Sequence, residues 1–145
     1  MNRSIEDMTL ENRENYDKLL RYLMNYAMFE HHIGVEFTNR LPAYAPSVSY
    51  NAPGKLIIMN ANWIRPIEIP FLLAHEIGHV LHEYEAYFHL NNLTKVHGEA
   101  CENIFAIKLL RQYCTENEFY FRDYYQFAKC FGIPHECYYL LADIA

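Results

Sequence analysis

Apolar residues recur at helical spacing over most of the chain. Between positions 11 and 30 they lie three or four residues apart, which predicts an amphipathic helix whose apolar positions are Tyr16, Leu19, Leu20, Leu23, Met24 and Ala27. The same pattern predicts further helices over 70–85, 95–113, 116–131 and 134–144. Pro70 suits the first turn of its helix, because the amide hydrogen that proline lacks would have no helical partner there.

The pattern changes between the first two predicted helices, where three short strands are expected. Val35–Thr38 alternates, Val48–Tyr50 is a brief second strand, and Lys55–Asn60 is a clear third. The turn residues Asn51-Ala52-Pro53-Gly54 separate the last two strands. Strands that follow one another at short intervals predict an antiparallel three-stranded meander. The expected fold class is therefore α+β, with a small antiparallel sheet and about five helices.

Composition narrows the class of protein. The 145 residues predict one domain, 1–145, and 52% of them are hydrophobic, which is ample for a core. The formal charge of −6 argues against direct nucleic-acid binding, since such domains usually carry a basic patch. We find no apolar run long enough to span a membrane and no apolar signal region after the charged N-terminus. A cytoplasmic protein without membrane contact is expected.

The cysteines do not suggest a zinc cluster. Cys101, Cys114, Cys130 and Cys137 form no close CxxC pair, which structural zinc sites prefer. In the cytosol they are expected to be free thiols, mostly buried as small apolar residues. Cys101 is the exception to watch, because it lies in a segment that carries candidate ligands.

The main chemical motif is His75-Glu76-Ile77-Gly78-His79, an HExxH sequence between apolar flanks. Residues four apart share one face of a helix, so both imidazoles can bind one Zn²⁺ while Glu76 deprotonates a water beside the metal. The same five residues can occur by chance on a charged helix surface. Here the helix is apolar on most sides, and buried imidazoles need partners. The pattern therefore favours a small zinc metalloprotease over a pair of core histidines.

A third ligand must come from elsewhere in the chain, because a catalytic zinc usually has three protein ligands. His82 and Glu85 occupy the positions that an extended HExxHxxGxxH motif reserves for glycine and histidine, so that type is excluded. Glu99 and Glu102 lie in the next predicted helix, and either is a candidate. Asn103 or Glu102 could instead orient a metal-binding histidine through a hydrogen bond.

Three segments together resemble the ImmA/IrrE family of metallopeptidases. They are Gly54–Asn60, a strand ending in asparagine; Phe71–His79, an apolar lead into the HExxH sequence; and Glu99-x-x-x-Asn103-x-Phe105-Ala106. The residues Phe127–Pro134 are also similar to the family's C-terminal helix connection, and the resemblance covers about 33–144. Glu102 departs from the family pattern, which usually has alanine there.

The resemblance implies a zincin-like fold of the gluzincin type, in which zinc is held by His75, His79 and Glu99 and Glu76 is the catalytic base. Members of the family are typically cytoplasmic and are encoded by prophages, mobile elements or stress operons. Known members cleave a helix-turn-helix repressor and so relieve transcriptional repression. No DNA-binding module is recognisable in this chain, so the implied substrate is a separate repressor. The acidic charge is compatible with a basic partner of that kind.

The substrate would be held as an extended strand. If the segment Lys55, Leu56, Ile57, Ile58, Met59 and Asn60 forms a sheet edge, its main chain can pair with a peptide. Two alternatives to a peptidase stay open. The chain could be a catalytically silent zinc-containing module that sequesters a regulatory partner, or a zinc hydrolase that acts on a substrate other than a peptide.

Overall fold

The computed structural model describes the backbone of residues 4–87 and 92–143, and the side chains of 4–82 and 101–142. In chain order the main elements are α1 (Arg13–Asn25), a π-helical turn (Tyr26–Glu30), β1 (Gly34–Thr38), β2 (Val48–Tyr50), β3 (Leu56–Asn60), α2 (Ile69–Tyr87), α3 (Asn92–Glu116), α4 (Tyr124–Cys130) and a 3₁₀ helix (His135–Asp143). Shorter 3₁₀ turns lie at Ile5–Asp7 and Pro66–Glu68. The predicted α+β class is confirmed.

The predicted antiparallel meander is wrong, because the sheet is mixed and its order is β1-β3-β2. β2 and β3 form the expected antiparallel pair, but β1 runs parallel to β3, with Gly34 opposite Leu56 and Thr38 opposite Asn60. The chain therefore passes from one edge of the sheet to the other between its first two strands. β3 is paired on both sides, and Ile57, Met59 and Asn60 are buried, which explains why it is the most continuously apolar strand.

The C-terminal third is less helical than the pattern predicts. The expected helix over 116–131 is reduced to α4, because α3 continues to Glu116 and Glu118 then adopts a positive φ of 59°, a conformation that helices do not use. The side chain of Asp123 accepts a hydrogen bond from the Gln126 amide at 2.8 Å and so caps the first turn of α4. The last predicted helix is a 3₁₀ helix.

The core lies between the sheet, α1 and the long helices α2 and α3. The largest side chains that are fully buried there are Phe71, Phe131, Leu19, Leu23, Ile33, Ile57, Met59, Leu73, Ile77, Ile107, Leu110 and Leu141. Gly132 packs closely against Ile67, in the residues just before α2. It has a φ of +68°, and a Cβ atom there would lie 2.0 Å from the carbonyl oxygen of Ile67, so only glycine fits.

Most of the cysteines are buried, as expected from the sequence. Cys114, Cys130 and Cys137 are buried, Cys101 is exposed, and all four are free thiols. Within the described part of the chain, no helix combines the length and hydrophobicity that crossing a lipid bilayer requires. The single domain over 1–145 stays a prediction.

Candidate metal centre

Helix α2 presents the three residues of the HExxH motif as one cluster. The potential ligand atoms of His75, Glu76 and His79 all lie within 4.8 Å of one another. The two imidazole rings are 4.5 Å apart between centroids and nearly perpendicular, at 83°. All three side chains are partly buried, whereas the intervening Ile77 and Gly78 are buried in the helix packing. The spacing of the motif therefore places its potential metal ligands close together on one face of α2.

Asn103 on α3 fixes the orientation of the first histidine. Its Oδ1 atom lies 2.7 Å from Nδ1 of His75. An amide oxygen only accepts, so Nδ1 of the imidazole donates, and the tautomer is the one in which Nε2 carries the lone pair. Histidine ligands of metals are commonly held in this way through the nitrogen that does not bind the metal. The role of Asn103 as an orienting residue stays a prediction, and this contact is the arrangement that it requires.

Glu102 points to a different histidine. Its Oε2 atom lies 2.9 Å from Nδ1 of His82, and the residue is only 3% exposed. Among the described side chains, the group close enough to share a metal ion comprises His75, Glu76 and His79, without Glu102. This placement favours Glu102 as a residue that makes a hydrogen bond to a histidine over Glu102 as a metal ligand. His82 was used in the sequence analysis only to exclude the extended motif, and this contact was not predicted, although a residue three positions after His79 shares its general helix face.

The third predicted ligand, Glu99, belongs to the part of α3 whose side chains lie outside the described residues. The backbone of α3 includes its position, one turn before Glu102 and Asn103. Assignment of Glu99 to the site therefore stays a prediction from the sequence.

The donor set fits Zn²⁺. Imidazole and carboxylate are common zinc ligands, and a catalytic site combines two histidines with a carboxylate and an open position. The cluster supplies two imidazoles whose potential ligand atoms lie within 4.8 Å of each other, and one of these rings is held through its second nitrogen. A carboxylate next to the first histidine completes the set that water activation requires.

The substrate strand proposed from the sequence is not a sheet edge. β3 lies between β1 and β2, so its main chain has no open side for a peptide. Asn60, at its end, is 1% exposed and donates two hydrogen bonds of 2.8 Å from Nδ2 to the carbonyl oxygens of Pro42 and Ala45. Asn60 therefore shapes the loop before β2. Lys55 precedes the strand, which begins at Leu56.

The edge strand beside the site is β2, which was predicted as a strand at Val48–Tyr50, although its position at the edge of the sheet was not predicted. Asn51, directly after β2, donates a hydrogen bond of 2.7 Å from Nδ2 to the carbonyl oxygen of Val80 on α2. This bond fixes the end of the strand one residue beyond the second histidine of the motif. The side chains of Val48 and Tyr50 are exposed along the strand.

A small mixed sheet beside a helix that carries HExxH is the arrangement of zincin-like metallopeptidase domains. The chain belongs to the Peptidase_M78 family, described as the IrrE N-terminal-like domain, whose model matches residues 28–137, about three quarters of the chain. The match confirms the resemblance to the ImmA/IrrE family and includes α2, the sheet and α3. Searches of curated proteins and of solved structures give no significant match.

Proposed function

We propose that the protein is a zinc-dependent endopeptidase with a narrow protein substrate. The observation that carries this proposal is the cluster of His75, Glu76 and His79 on α2, with the first imidazole held by Asn103. Membership of a metallopeptidase-like family supports the same conclusion. A silent zinc-binding module would have no need of Glu76, because a structural site requires ligands and no base.

Each residue has a distinct task in this mechanism. His75, His79 and, by our proposal, Glu99 hold the ion. Zinc, when bound, lowers the pKa of a water molecule and polarises the scissile carbonyl. The carboxylate of Glu76 accepts the proton of the attacking water and then donates it to the leaving amine. Asn103 keeps the His75 ring in one orientation throughout, through the hydrogen bond to its Nδ1 atom.

We assign the substrate strand to β2 in place of β3. β2 is an edge of the sheet and is tied to α2 through Asn51. An extended peptide that adds to this edge would lie close to the cluster, with its main chain hydrogen-bonded to the strand. The exposed side chains of Val48 and Tyr50 would then contact alternate side chains of the substrate.

The proposed substrate is a helix-turn-helix repressor encoded as a separate chain, and its cleavage would relieve repression in the cytoplasm. The family membership supports a protein substrate, and the net charge of −6 suits a basic DNA-binding partner. A helix-turn-helix protein encoded next to this chain is the first candidate to test. The alternative, sequestration of the partner without turnover, predicts binding that leaves the partner intact.

The decisive experiment incubates the zinc-loaded protein with the candidate repressor and compares it with Glu76→Gln. We expect the wild type to cleave the repressor and the variant to lose roughly 10²–10⁴-fold in rate, the usual contribution of a general base. Zinc content and thermal stability should match, since glutamine has the same size. Binding without cleavage by both proteins would support sequestration, and equal cleavage by both would exclude Glu76 as the base.

The ligand set is tested by the zinc content of purified protein, measured by elemental mass spectrometry. We expect one zinc per wild-type chain and a sharp loss in His79→Ala and in Glu99→Ala. Glu36→Ala is the matched control, because Glu36 is an exposed glutamate on β1 away from the motif. Full occupancy in Glu99→Ala would show that the third ligand lies elsewhere, and absence of zinc from the wild type would refute the peptidase proposal.

A further inference from the structure

We propose that Glu102 is a positioning residue for the metal centre, which it aligns from α3 through His82 on α2. The inference rests on the proposed function, since it concerns the same site. Its basis is a pair of contacts across the crossing of α2 and α3: Glu102 to His82 at 2.9 Å and Asn103 to His75 at 2.7 Å. We call these two contacts together the helix brace.

The geometry of the brace explains why it controls alignment. Glu102 and Asn103 are neighbours on α3, yet their partners His82 and His75 lie seven residues apart on α2. Seven residues correspond to two helical turns, or about 10.5 Å along the axis. The two side chains therefore reach in opposite directions from the crossing point. Apolar packing holds α3 against α2, and two polar contacts on opposite sides of the crossing constrain the angle between the helices more tightly than one contact would.

Gly78 lies at the crossing point and permits the close approach. A Cβ atom at this position would lie 2.5 Å from Oε2 of Glu102 and 3.0 Å from Cδ1 of Phe105. The ring of Phe105 also meets the imidazole of His82 edge to face, with centroids 5.5 Å apart. The Glu102 carboxylate is thus confined between the α2 backbone and the Phe105 ring. A displacement of the carboxylate away from α2 would break its contact with His82.

The chemistry of Glu102 points to alignment more than to stability. A carboxylate that is 3% exposed loses most of its hydration, and pairing with an imidazole offsets this cost without a large net gain. Replacement of both partners of such a pair by apolar residues is often neutral or stabilising, so the pair is weak evidence for a role in stability. A polar contact adds direction, because the carboxylate accepts only where the Nδ1–H group points. The angle between α2 and α3 that suits this contact also brings Asn103, the next residue on α3, to His75.

The first test compares zinc affinity in wild type and Glu102→Ala by competition with a chromophoric chelator. We expect the variant to bind zinc roughly 10–100-fold more weakly, the usual effect of losing a residue that orients metal ligands. The visible absorption spectrum of the Co²⁺-substituted protein should change in shape, which reports ligand geometry independently of activity. Glu102→Gln retains an oxygen that accepts from His82 and should restore the wild-type spectrum and most of the affinity.

A second test uses the crowding at Gly78. Gly78→Ala should displace the Glu102 carboxylate and weaken zinc binding as Glu102→Ala does. Because both changes break one contact, the double variant Gly78→Ala/Glu102→Ala should bind zinc about as well as either single variant. Leu110→Ala is the control for general damage to α3: Leu110 is fully buried away from the crossing, so its truncation should lower thermal stability while the Co²⁺ spectrum stays unchanged.

The outcomes separate this inference from the proposed function. If the wild type binds one zinc and Glu102→Ala has the same affinity and Co²⁺ spectrum, the positioning role is refuted and the peptidase proposal stands. Equal losses in Glu102→Ala and Leu110→Ala, without rescue by Glu102→Gln, would also refute it in favour of general packing. If the wild type itself binds no zinc, the proposed function fails first.

Discussion

Two parts of helix α3, both within the residues whose side chains the structure describes, pack in different ways. Near the metal centre, its contacts to α2 are polar and directional: Asn103 meets His75 and Glu102 meets His82. Towards its C-terminal end, Tyr113 joins a cluster of aromatic rings around the fully buried Phe131. The other rings within 6.2 Å of Phe131 between centroids are those of Phe119, Phe121 and Phe127.

This difference assigns two tasks to two parts of α3. The polar contacts align the metal site, and the aromatic packing stabilises the fold. A single hydrogen bond, whether between neutral groups or to a buried carboxylate, contributes little net free energy because its groups lose their hydration, but it specifies direction and distance. Aromatic packing contributes much more free energy, since each ring buries a large apolar area, but it tolerates small changes of angle. Substitutions at the aromatic end should therefore lower the free energy of unfolding, whereas substitutions at the polar end should change metal affinity.

The largest effect on stability is expected for Phe131→Ala. Removal of a fully buried ring from a packed core typically costs about 3–5 kcal/mol in the free energy of unfolding. Urea denaturation measures this loss, and zinc affinity of the folded fraction should stay within about threefold of wild type. Phe29 is 74% exposed, so Phe29→Ala is the control and should change stability by less than about 0.5 kcal/mol. A large loss of zinc affinity in the folded variant would contradict the division between residues that set stability and residues that set metal affinity.

The reverse effect is expected for Asn103→Ala. Loss of the hydrogen bond to His75 should weaken zinc binding roughly 10–100-fold, or about 1.4–2.7 kcal/mol, while the free energy of unfolding of the metal-free protein changes by less than about 1 kcal/mol. Chelator competition and urea denaturation of the metal-free protein measure the two quantities. Asn103→Asp, which keeps an accepting oxygen, should retain most of the affinity. A variant that binds zinc normally would refute the orienting role.

The same contrast explains what the sequence could and could not predict. The helix that carries HExxH was predicted to within two residues at either end, because its chemistry and its apolar periodicity are both local. The pairing of β1 with β3 was missed, because alternation of side chains identifies a strand without identifying its neighbour. The contact of Glu102 with His82 was missed for a related reason: it depends on where α3 crosses α2.

Some of the missed features did leave traces in the sequence. β3 is continuously apolar over Leu56–Met59, which is typical of a strand buried between two others. β2 has only three residues and exposed side chains at both ends, which is typical of an edge strand. Gly78 inside an apolar helix indicates a close approach by another element. Such patterns indicate a close neighbour, but only the fold identifies it.

The smallest expected effect concerns alkaline pH and the three buried thiols, those of Cys114, Cys130 and Cys137. Burial, followed by the charges of Glu136 and Glu68, raises the pKa of Cys137 from 9.0 to about 11, and burial likewise raises the pKa of Cys114 and Cys130. Above pH 9 the unfolded chain releases these protons while the folded protein retains them. The free energy of unfolding should therefore be unaffected by these thiols below about pH 8 and fall between pH 9 and 11.

Urea denaturation of the metal-free protein at pH 7.5, 9 and 10.5, in that order of pH, measures this fall. Cys137→Ala removes one of the thiols, so its stability should decline less steeply with pH than that of the wild type. Cys101 is exposed, and Cys101→Ala is the control that should follow the wild-type profile. Identical slopes for Cys137→Ala and wild type would mean that other groups cause the decline, among them the buried Tyr113, whose pKa is also raised by burial. Because the thiols and the phenol all act through loss of hydration, the alkaline weakness belongs to the buried core, where stability depends on burial.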